Sequence, residues 1–205
     1  YTTLFRSPRL FIIEAGNSFG LLGDWYASKG LTVNRVALKP GSGVSLSPFQ
    51  DAHSVLDERP VFEPDEDSDE DDSRDIMGEM EIVAQLMITG GEAREAARMT
   101  RSDRRMIRDA ILSAAAITQK QGRPTLTEDV RNAFYTMSRG DEYESDVRRR
   151  LREMGDAIGL FCDGFSGELF NNDGTAWVDA DVTIIDLATF AREGYEAHQI
   201  GRAHV

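Results

Sequence analysis

The spacing of apolar positions near the start of the chain changes twice, which predicts a strand, a helix and a second strand. Leu10 to Ile13 is an uninterrupted apolar run, typical of a strand buried on both faces of a parallel sheet. Helical spacing follows and continues to about Ser28. Thr32 to Leu38 alternates and is rich in β-branched residues, so it predicts a second strand. Together these elements predict a βαβ unit with a right-handed connection.

The predicted helix has recognisable ends and a recognisable buried face. Asn17 or Ser18 is suited to cap its first turn, and Gly30 is suited to end it in a left-handed conformation. The face turned towards the sheet is expected to contain Leu21, Leu22 and Trp25.

From Ile76 to about Arg152 the apolar spacing is helical, which predicts a helical segment. The first helix is expected to end at Gly90-Gly91, and the next to be capped by Ser102 and stopped by Gly122. The buried face of the first contains Met80, Val83, Ala84 and Met87. The buried face of the second contains Met106, Ile107, Ala110, Ile111 and Ala114.

Two further helix starts follow in the same segment. Thr125-Leu126-Thr127-Glu128 has the spacing of a capping box, which predicts a third helix. Ser145 or Asp146 is expected to open a fourth, running towards Met154. The methionines on these helical faces are interpreted as core filling.

The last part of the chain is mixed again. Gly159 to Gly167 is rich in glycine and aromatic residues, and Thr183 to Leu187 predicts a strand that ends in a cap. We therefore predict an α/β fold in which parallel strands are interrupted by a helical insert. The expected divisions are 1–56 for the βαβ part, 57–75 for an acidic loop, 76–155 for the helical insert, 156–199 for the return to the α/β core and 200–205 for a non-native tail.

The formal net charge of −13 is concentrated in one stretch, from Asp57 to Asp75. Such dense like charge has almost nothing to bury, so we expect this stretch to be disordered. A calcium loop is disfavoured because the glycine and the spaced terminal glutamate of such a loop are missing. The charge also argues against a simple nucleic-acid binder, and the local arginine clusters are interpreted as solvated faces.

Composition favours a soluble cytoplasmic protein. Hydrophobic residues make up 40% of the chain and charged residues 29%, and no apolar stretch approaches the ~20 residues of a membrane span. The lone Cys162 fits a reducing compartment. The chain starts without Met or an export signal, and residues 200–205 match the translation of a sequencing adapter, so we expect an internal fragment of a longer protein.

No complete catalytic constellation is present in the sequence. Gly16-Asn17-Ser18-Phe19-Gly20 follows the first strand but lacks the lysine of a phosphate-binding loop and the spacing of a dinucleotide-binding turn. His53 and His198 do not lie beside a nucleophile elbow, and zinc ligands are too few. Cys162 is interpreted as an inert structural thiol.

The stretch Pro8 to Gly20 resembles the segment after the Walker A helix in conjugative-transfer ATPases of type IV secretion systems. These are TraC-like P-loop motors of the HerA/FtsK superfamily, and the likeness points to those of integrating conjugative elements. Four later segments of the chain also resemble parts of the family pattern, in the same order: Leu46-Ser47-Pro48-Phe49, Thr125-Leu126-Thr127-Glu128, Gly159 to Phe170 and Val182 to Leu187. Glu14 stands where many relatives have aspartate, and Ser47 where many have asparagine.

The resemblance implies a fragment of a RecA-like motor domain, between Walker A and Walker B. For the parent protein it implies hydrolysis of ATP with Mg²⁺ in a homo-hexamer, together with other secretion-channel subunits and DNA as partners. It also implies a place at the inner face of the inner membrane. The fragment itself carries no catalytic residue and no metal ligand under this interpretation.

Glu14, Asn17 and Ser18 are the candidate site residues, close to a nucleotide or to a subunit interface. Glu14 is expected either to orient a basic residue, a water molecule or a neighbouring subunit, or to accept hydrogen bonds from the first N–H groups of the following helix.

Two other classes of function stay open from the residues. The chain could be a non-catalytic helical interaction module with an acidic docking loop. It could also be a small-molecule enzyme of doubly wound fold, with Glu14 as a ribose-binding acid.

Overall fold

The computed structural model describes residues 9–16, 18–56, 75–176 and 178–189. The chain divides into two compact units. One comprises the described residues within Tyr1–Val44 and Thr175–Gly201, and the other those within Ser45–Gly174.

The first unit is a three-stranded parallel sheet with one helix. Its elements are β1 (Leu10–Glu14), α1 (Gly20–Ser28), β2 (Val33–Ala37) and β3 (Val182–Asp186). The strand order is β1-β3-β2, so β3 lies in the middle although it comes last in the sequence. Both pairings are parallel and share one register, in which Leu10 and Val33 are opposite Val182. The βαβ unit predicted at the start of the chain is therefore completed by a distant strand.

β3 is the buried strand of this sheet. Val182, Thr183 and Ile184 are at most 4% exposed. β1, predicted to be buried on both faces, is instead an edge strand with Phe11 59% and Ile13 66% exposed. That prediction is wrong because β1 has a strand neighbour on one side alone within the described residues.

The predicted buried face of α1 is also wrong. Leu22 is half-buried, but Leu21 is 83% and Trp25 54% exposed, and Gly23 is the buried residue of the helix. A Cβ at Gly23 would lie 2.8 Å from the Ile184 side chain, so the missing side chain lets α1 lie close to the sheet. The helix approaches the sheet at Gly23, a position that an apolar-spacing rule does not detect. Gly30, with φ of 86°, follows the helix end as predicted.

The second unit is helical. It begins with a short 3-10 helix (Gln50–Leu56). The α-helices are α2 (Ile76–Thr89), α3 (Ala93–Arg98), α4 (Arg101–Gln121), α5 (Thr127–Met137), α6 (Ser145–Gly159) and α7 (Gly164–Phe170). One hydrophobic core joins the 3-10 helix with α2, α4, α5 and α6. Met80, Ala84 and Met87 and the predicted face of α4 all lie in this core, and Val83 packs against it.

The helix stops were predicted better than the helix starts. Gly90 and Gly122 have φ of 62° and 68° and end α2 and α4 as predicted. The start of α4 is capped by Thr100 and not by Ser102. At α5 the Asp129 carboxylate accepts from the Leu126 N–H. Thr125 is buried, and its hydroxyl is hydrogen-bonded to the Thr118 hydroxyl (2.6 Å) instead. At each helix start a neighbouring residue makes the capping contact instead of the predicted one: Thr100 at α4 and Asp129 at α5.

The helical segment extends beyond its expected end. α6 continues to Gly159, and the glycine-rich stretch that follows forms α7 within the second unit. The units divide at Ser45 and Gly174, whereas the expected divisions lay at 56/57 and 155/156.

Thr100 and Asp103 form a reciprocal cap at the start of α4. The Asp103 N–H donates to Thr100 Oγ1 (3.1 Å), and the Thr100 N–H donates to Asp103 Oδ2 (2.8 Å). Burial alone would raise the pKa of Asp103, but hydrogen bonds from Thr100 and from Arg150 outweigh it and lower that pKa. The cap therefore also anchors α6 through Arg150.

Replacing Thr100 with Ala should lower the free energy of unfolding by about 1 kcal/mol, because the first turn of α4 loses its hydroxyl acceptor. Ser102→Ala is the matched control and should stay within about 0.5 kcal/mol of the parent, since Ser102 is exposed and makes no cap. Urea unfolding of the 205-residue chain measures both. Equal losses in the two variants would show that the cap is misassigned.

Gly155 lets α5 and α6 approach closely. A Cβ at this position would lie 2.9 Å from Tyr135 Cε1 and 3.3 Å from Phe134 Cβ. The Tyr135 hydroxyl donates to Asp156 Oδ1 (2.8 Å), which holds the ring in place. Overpacking of this kind typically costs about 1–3 kcal/mol, more than the ~1 kcal/mol that alanine gains over glycine in a helix.

Gly155→Ala should therefore destabilise the chain by about 1 kcal/mol or more in thermal or urea unfolding. Gly159→Ala is the control on the same helix. Its Cβ would meet the flexible Arg131 side chain at 3.4 Å and nothing closer, so the variant should be neutral or slightly stabilised. A Gly155→Ala protein as stable as the Gly159→Ala protein would contradict the close packing of α5 and α6.

Candidate functional site

Of the candidate residues, Glu14 and Ser18 are described, and they lie at and just after the end of β1. Glu14 is the last residue of β1 and is paired in register with Asp186, the last residue of β3. The Leu187 N–H donates to the Glu14 carbonyl oxygen (2.7 Å), and the Leu38 N–H donates to that of Asp186 (3.0 Å). Two carboxylates thus stand side by side at the carboxyl end of a parallel sheet, the edge at which α/β folds bind ligands.

Glu14 is buried, with 7% of its surface exposed. Its Oε2 accepts from the backbone N–H of Ser18 and from that of Phe19 (3.2 Å), the residues directly before α1. Its Oε1 is also buried and has no hydrogen-bond partner among the described residues. One oxygen therefore accepts from the N–H groups directly before α1, and the other has no donor in the described part of the chain.

Asp186 holds the same loop from the neighbouring strand. Its Oδ1 accepts from the Gly16 N–H (3.2 Å) and from the Ala188 N–H (2.8 Å). Gly16 has φ of 108°, a conformation that favours glycine at this turn. The turn after β1 is thus fixed by carboxylates from two strands.

The N–H groups of this turn are occupied by the protein's own carboxylates. A helix N-terminus attracts anions because its first N–H groups are free. Here the N–H groups of Ser18 and Phe19, directly before α1, donate to Glu14, and that of Gly16 donates to Asp186. These three N–H groups are therefore not available to an anion.

The three candidate residues have different outcomes. Glu14 makes the helix-capping contacts that were one of its two expected roles. Ser18 is exposed and contributes its backbone N–H, so the hydroxyl cap predicted for it is wrong: Phe19 is the N-cap residue and its side chain makes no cap. Asn17 lies outside the described residues. Closeness to a nucleotide or to a subunit remains a prediction for all three.

Asp186 is the site residue that the sequence analysis did not identify. It was expected merely to end a strand with a cap, and its bond from the Ala188 N–H fits that expectation. A signal was present, because Asp186 follows the apolar run of β3 as Glu14 follows that of β1. The pairing of the two strands was not visible in the sequence.

The other candidates have structural roles. Cys162 is buried, and that burial raises the pKa of its thiol to about 11, which fits an inert cysteine. His53 is half-buried and its Nε2 lies 2.9 Å from Thr118 Oγ1 in the helical core. Of the acidic stretch, Asp75 alone is described: it caps α2 by accepting from the Gly78 N–H (2.8 Å). The predicted disorder of 57–74 falls outside the described residues.

The described residues contain neither a metal-binding cluster nor a membrane span. No group of three or more His, Cys, Asp or Glu side chains there is arranged to hold a metal ion. None of the helices in this part of the chain is long and apolar enough to cross a membrane.

Comparison with known proteins shows a likeness in structure and none in sequence. No protein-family model matches the chain, and no curated protein matches it. Among solved structures, VirB4 of Thermoanaerobacter pseudethanolicus superposes with a TM-score of 0.54 at 13% identity. The match covers 95% of this chain and 64% of the VirB4 chain. At this identity the likeness shows a shared fold.

The likeness confirms the predicted fold class. The chain has parallel strands and a large helical segment, in an arrangement that matches part of the VirB4 fold. It spans about 64% of the length of the VirB4 chain, so a substantial part of that protein has no counterpart here.

Glu14→Ala should lower the free energy of unfolding by about 1–2 kcal/mol, because the N–H groups of Ser18 and Phe19 lose their acceptor. Glu14→Gln should lose less, since an amide oxygen can accept the same two bonds. Urea unfolding of the 205-residue chain measures both variants. If Glu14→Ala unfolds at the same urea concentration as the parent, the carboxylate does not hold the start of α1.

Proposed function

We propose that this chain is a segment of a motor ATPase of a type IV secretion system. The observation that carries the proposal is the fold shared with VirB4 along 95% of the chain. The sequence pattern supports it independently, because the resemblance to conjugative-transfer ATPases rests on the residues alone. The two observations converge on one class of protein.

The resembling segments occupy defined places in the structure. Pro8 to Gly20 includes β1, its terminal acid and the turn before α1. Leu46-Ser47-Pro48-Phe49 anchors the helical unit: the Leu46 N–H donates to the Leu169 carbonyl oxygen (2.7 Å), and Phe49 is fully buried. Val182 to Leu187 contains the central strand β3. Each segment thus has a clear structural role.

We further propose the finer identity that the resemblance implies. The parent is a TraC-like motor of conjugative transfer, of the type found in integrating conjugative elements. It hydrolyses ATP with Mg²⁺, forms a homo-hexamer and works with other secretion-channel subunits and DNA at the inner face of the inner membrane. This chain contributes the segment between the two nucleotide-binding motifs and has no catalytic residue of its own.

The proposal predicts ATP turnover in the longer parent protein and none in the 205-residue chain. Phosphoryl transfer depends on a phosphate-binding lysine and on Mg²⁺-holding groups, and this chain lacks the sequence motif that supplies them. The 205-residue chain should therefore show no ATP turnover and no tight ATP binding. A protein produced from the longer coding sequence should release phosphate in a steady-state assay with Mg²⁺.

The control is the longer protein with the lysine of its phosphate-binding loop replaced by alanine, which should lose turnover. Turnover by the 205-residue chain above a buffer control would contradict the assignment of its role. A longer protein without a phosphate-binding loop, or without ATP turnover, would contradict the proposed function itself.

A further inference from the structure

We propose that the open edge of β1 is a docking edge for a further apolar strand, supplied by the part of the longer motor protein that lies outside this chain. In the described structure β1 is an edge strand of a three-stranded sheet. In the longer protein it is an interior strand with a neighbour on each side. The added strand comes from the longer protein, so this inference rests on the proposed function and adds where its two parts join.

The backbone of β1 is hydrogen-bonded on one side and open on the other. The Leu10 N–H donates to the Asp181 carbonyl oxygen (2.9 Å), directly before β3. Backbone groups alternate in direction along a strand, so the N–H and C=O groups of Phe11 and Ile13 point away from β3. No other described strand pairs with β1. The outward groups of Phe11 and Ile13 therefore have no strand partner in the described part of the chain.

The same two residues carry the exposed apolar side chains. Phe11 is 59% and Ile13 66% exposed, and both project from one face of the sheet because they are two positions apart. Ile12 projects from the other face with its register partner Ile184, whose side chain lies 2.8 Å from the Cβ position of Gly23 in α1. Since α1 lies on that opposite face, it does not cover Phe11 and Ile13.

The two edges of the sheet differ in how they are protected. Soluble proteins protect edge strands with charged side chains, proline or bulges, because a bare apolar edge pairs with other strands. β2, the other edge strand, carries Asn34 and Arg35 in its middle. β1 is apolar up to its last residue and pairs with β3 without a bulge. The sequence of β1 is therefore that of an interior strand.

The comparison with VirB4 indicates where the second neighbour of β1 comes from. The shared fold covers 95% of this chain but 64% of the VirB4 chain, so a longer protein of this fold has further segments that can supply a strand. Strands of all-parallel sheets are typically continuous apolar runs with both faces covered. A second copy of this chain suits the edge less well, because a formal net charge of −13 on each copy opposes their association.

Hydrogen exchange read by fragment-resolved mass spectrometry compares the 205-residue chain with the protein produced from the longer coding sequence. In the 205-residue chain the Phe11 and Ile13 amides should exchange nearly as fast as in an unstructured peptide, whereas the Ile12 amide, which faces β3, should be protected. In the longer protein the protection of Phe11 and Ile13 should rise by about a hundredfold or more, because hydrogen bonds to the added strand then shield them.

Proline variants test the same edge by stability. Ile13→Pro removes an outward N–H, which an edge strand tolerates. Its melting temperature should fall by several degrees more in the longer protein than in the 205-residue chain. Ala37→Pro is the matched control on β2, because Ala37 is exposed and its N–H points away from β3, opposite to that of Leu38, which donates to Asp186. This control should shift the melting temperature of both proteins alike.

Several results would overturn the proposal. They are equally fast exchange of Phe11 and Ile13 in the two proteins, equal effects of Ile13→Pro in both, and a coding sequence that ends with this chain. A 205-residue chain that dimerises in sedimentation, with the dimer abolished by Ile13→Pro, would also overturn it, because a second copy then occupies the edge.

The exchange assay needs no nucleotide, so the two proposals fail separately. A longer protein that hydrolyses ATP but leaves Phe11 and Ile13 unprotected would contradict the added strand and keep the proposed function. A longer protein that protects both amides without ATP turnover would contradict the proposed function and keep the added strand.

Discussion

The parallel pairing of β3 with both β1 and β2 is the interaction on which the first unit depends. β1, α1 and β2 are consecutive in sequence, but β1 and β2 do not pair with each other. The middle place is taken by Val182–Asp186, which brings buried side chains and two rows of backbone hydrogen bonds. Without β3 the two remaining strands would have no hydrogen-bonded partner among the described strands. Because β3 follows the helical segment in sequence, that segment is an insertion between strands of one sheet.

The same pairing creates the candidate site. Parallel strands end at one edge, so the shared register places Glu14 directly beside Asp186. Each carboxylate accepts hydrogen bonds from backbone N–H groups between β1 and α1. The turn is thereby fixed and negatively charged, which separates it from the glycine-rich turns that hold phosphates through free N–H groups.

The helical unit shows how small residues and caps set a packing arrangement. Gly155 allows α6 to approach the Tyr135 and Phe134 side of α5, and the Thr100–Asp103 cap connects α4 to α6 through Arg150. The core contains methionine, alanine and branched side chains along the predicted faces. These contacts lie within one unit, so the helical unit has a hydrophobic core of its own.

The sequence alone determined the α/β class, the three strands, the helices α1, α2, α4, α5 and α6, the helix stops at Gly90 and Gly122 and the buried faces of α2 and α4. These features follow from local periodicity and backbone preference, which depend on neighbouring residues. Tertiary structure decided the central place of β3, the exposure of Phe11, Ile13, Leu21 and Trp25, the choice of Thr100 over Ser102 as a cap and the pairing of Glu14 with Asp186. The physical reason is that strand order and burial depend on contacts between segments far apart in the sequence. A local pattern does not encode which distant segment pairs with a given strand.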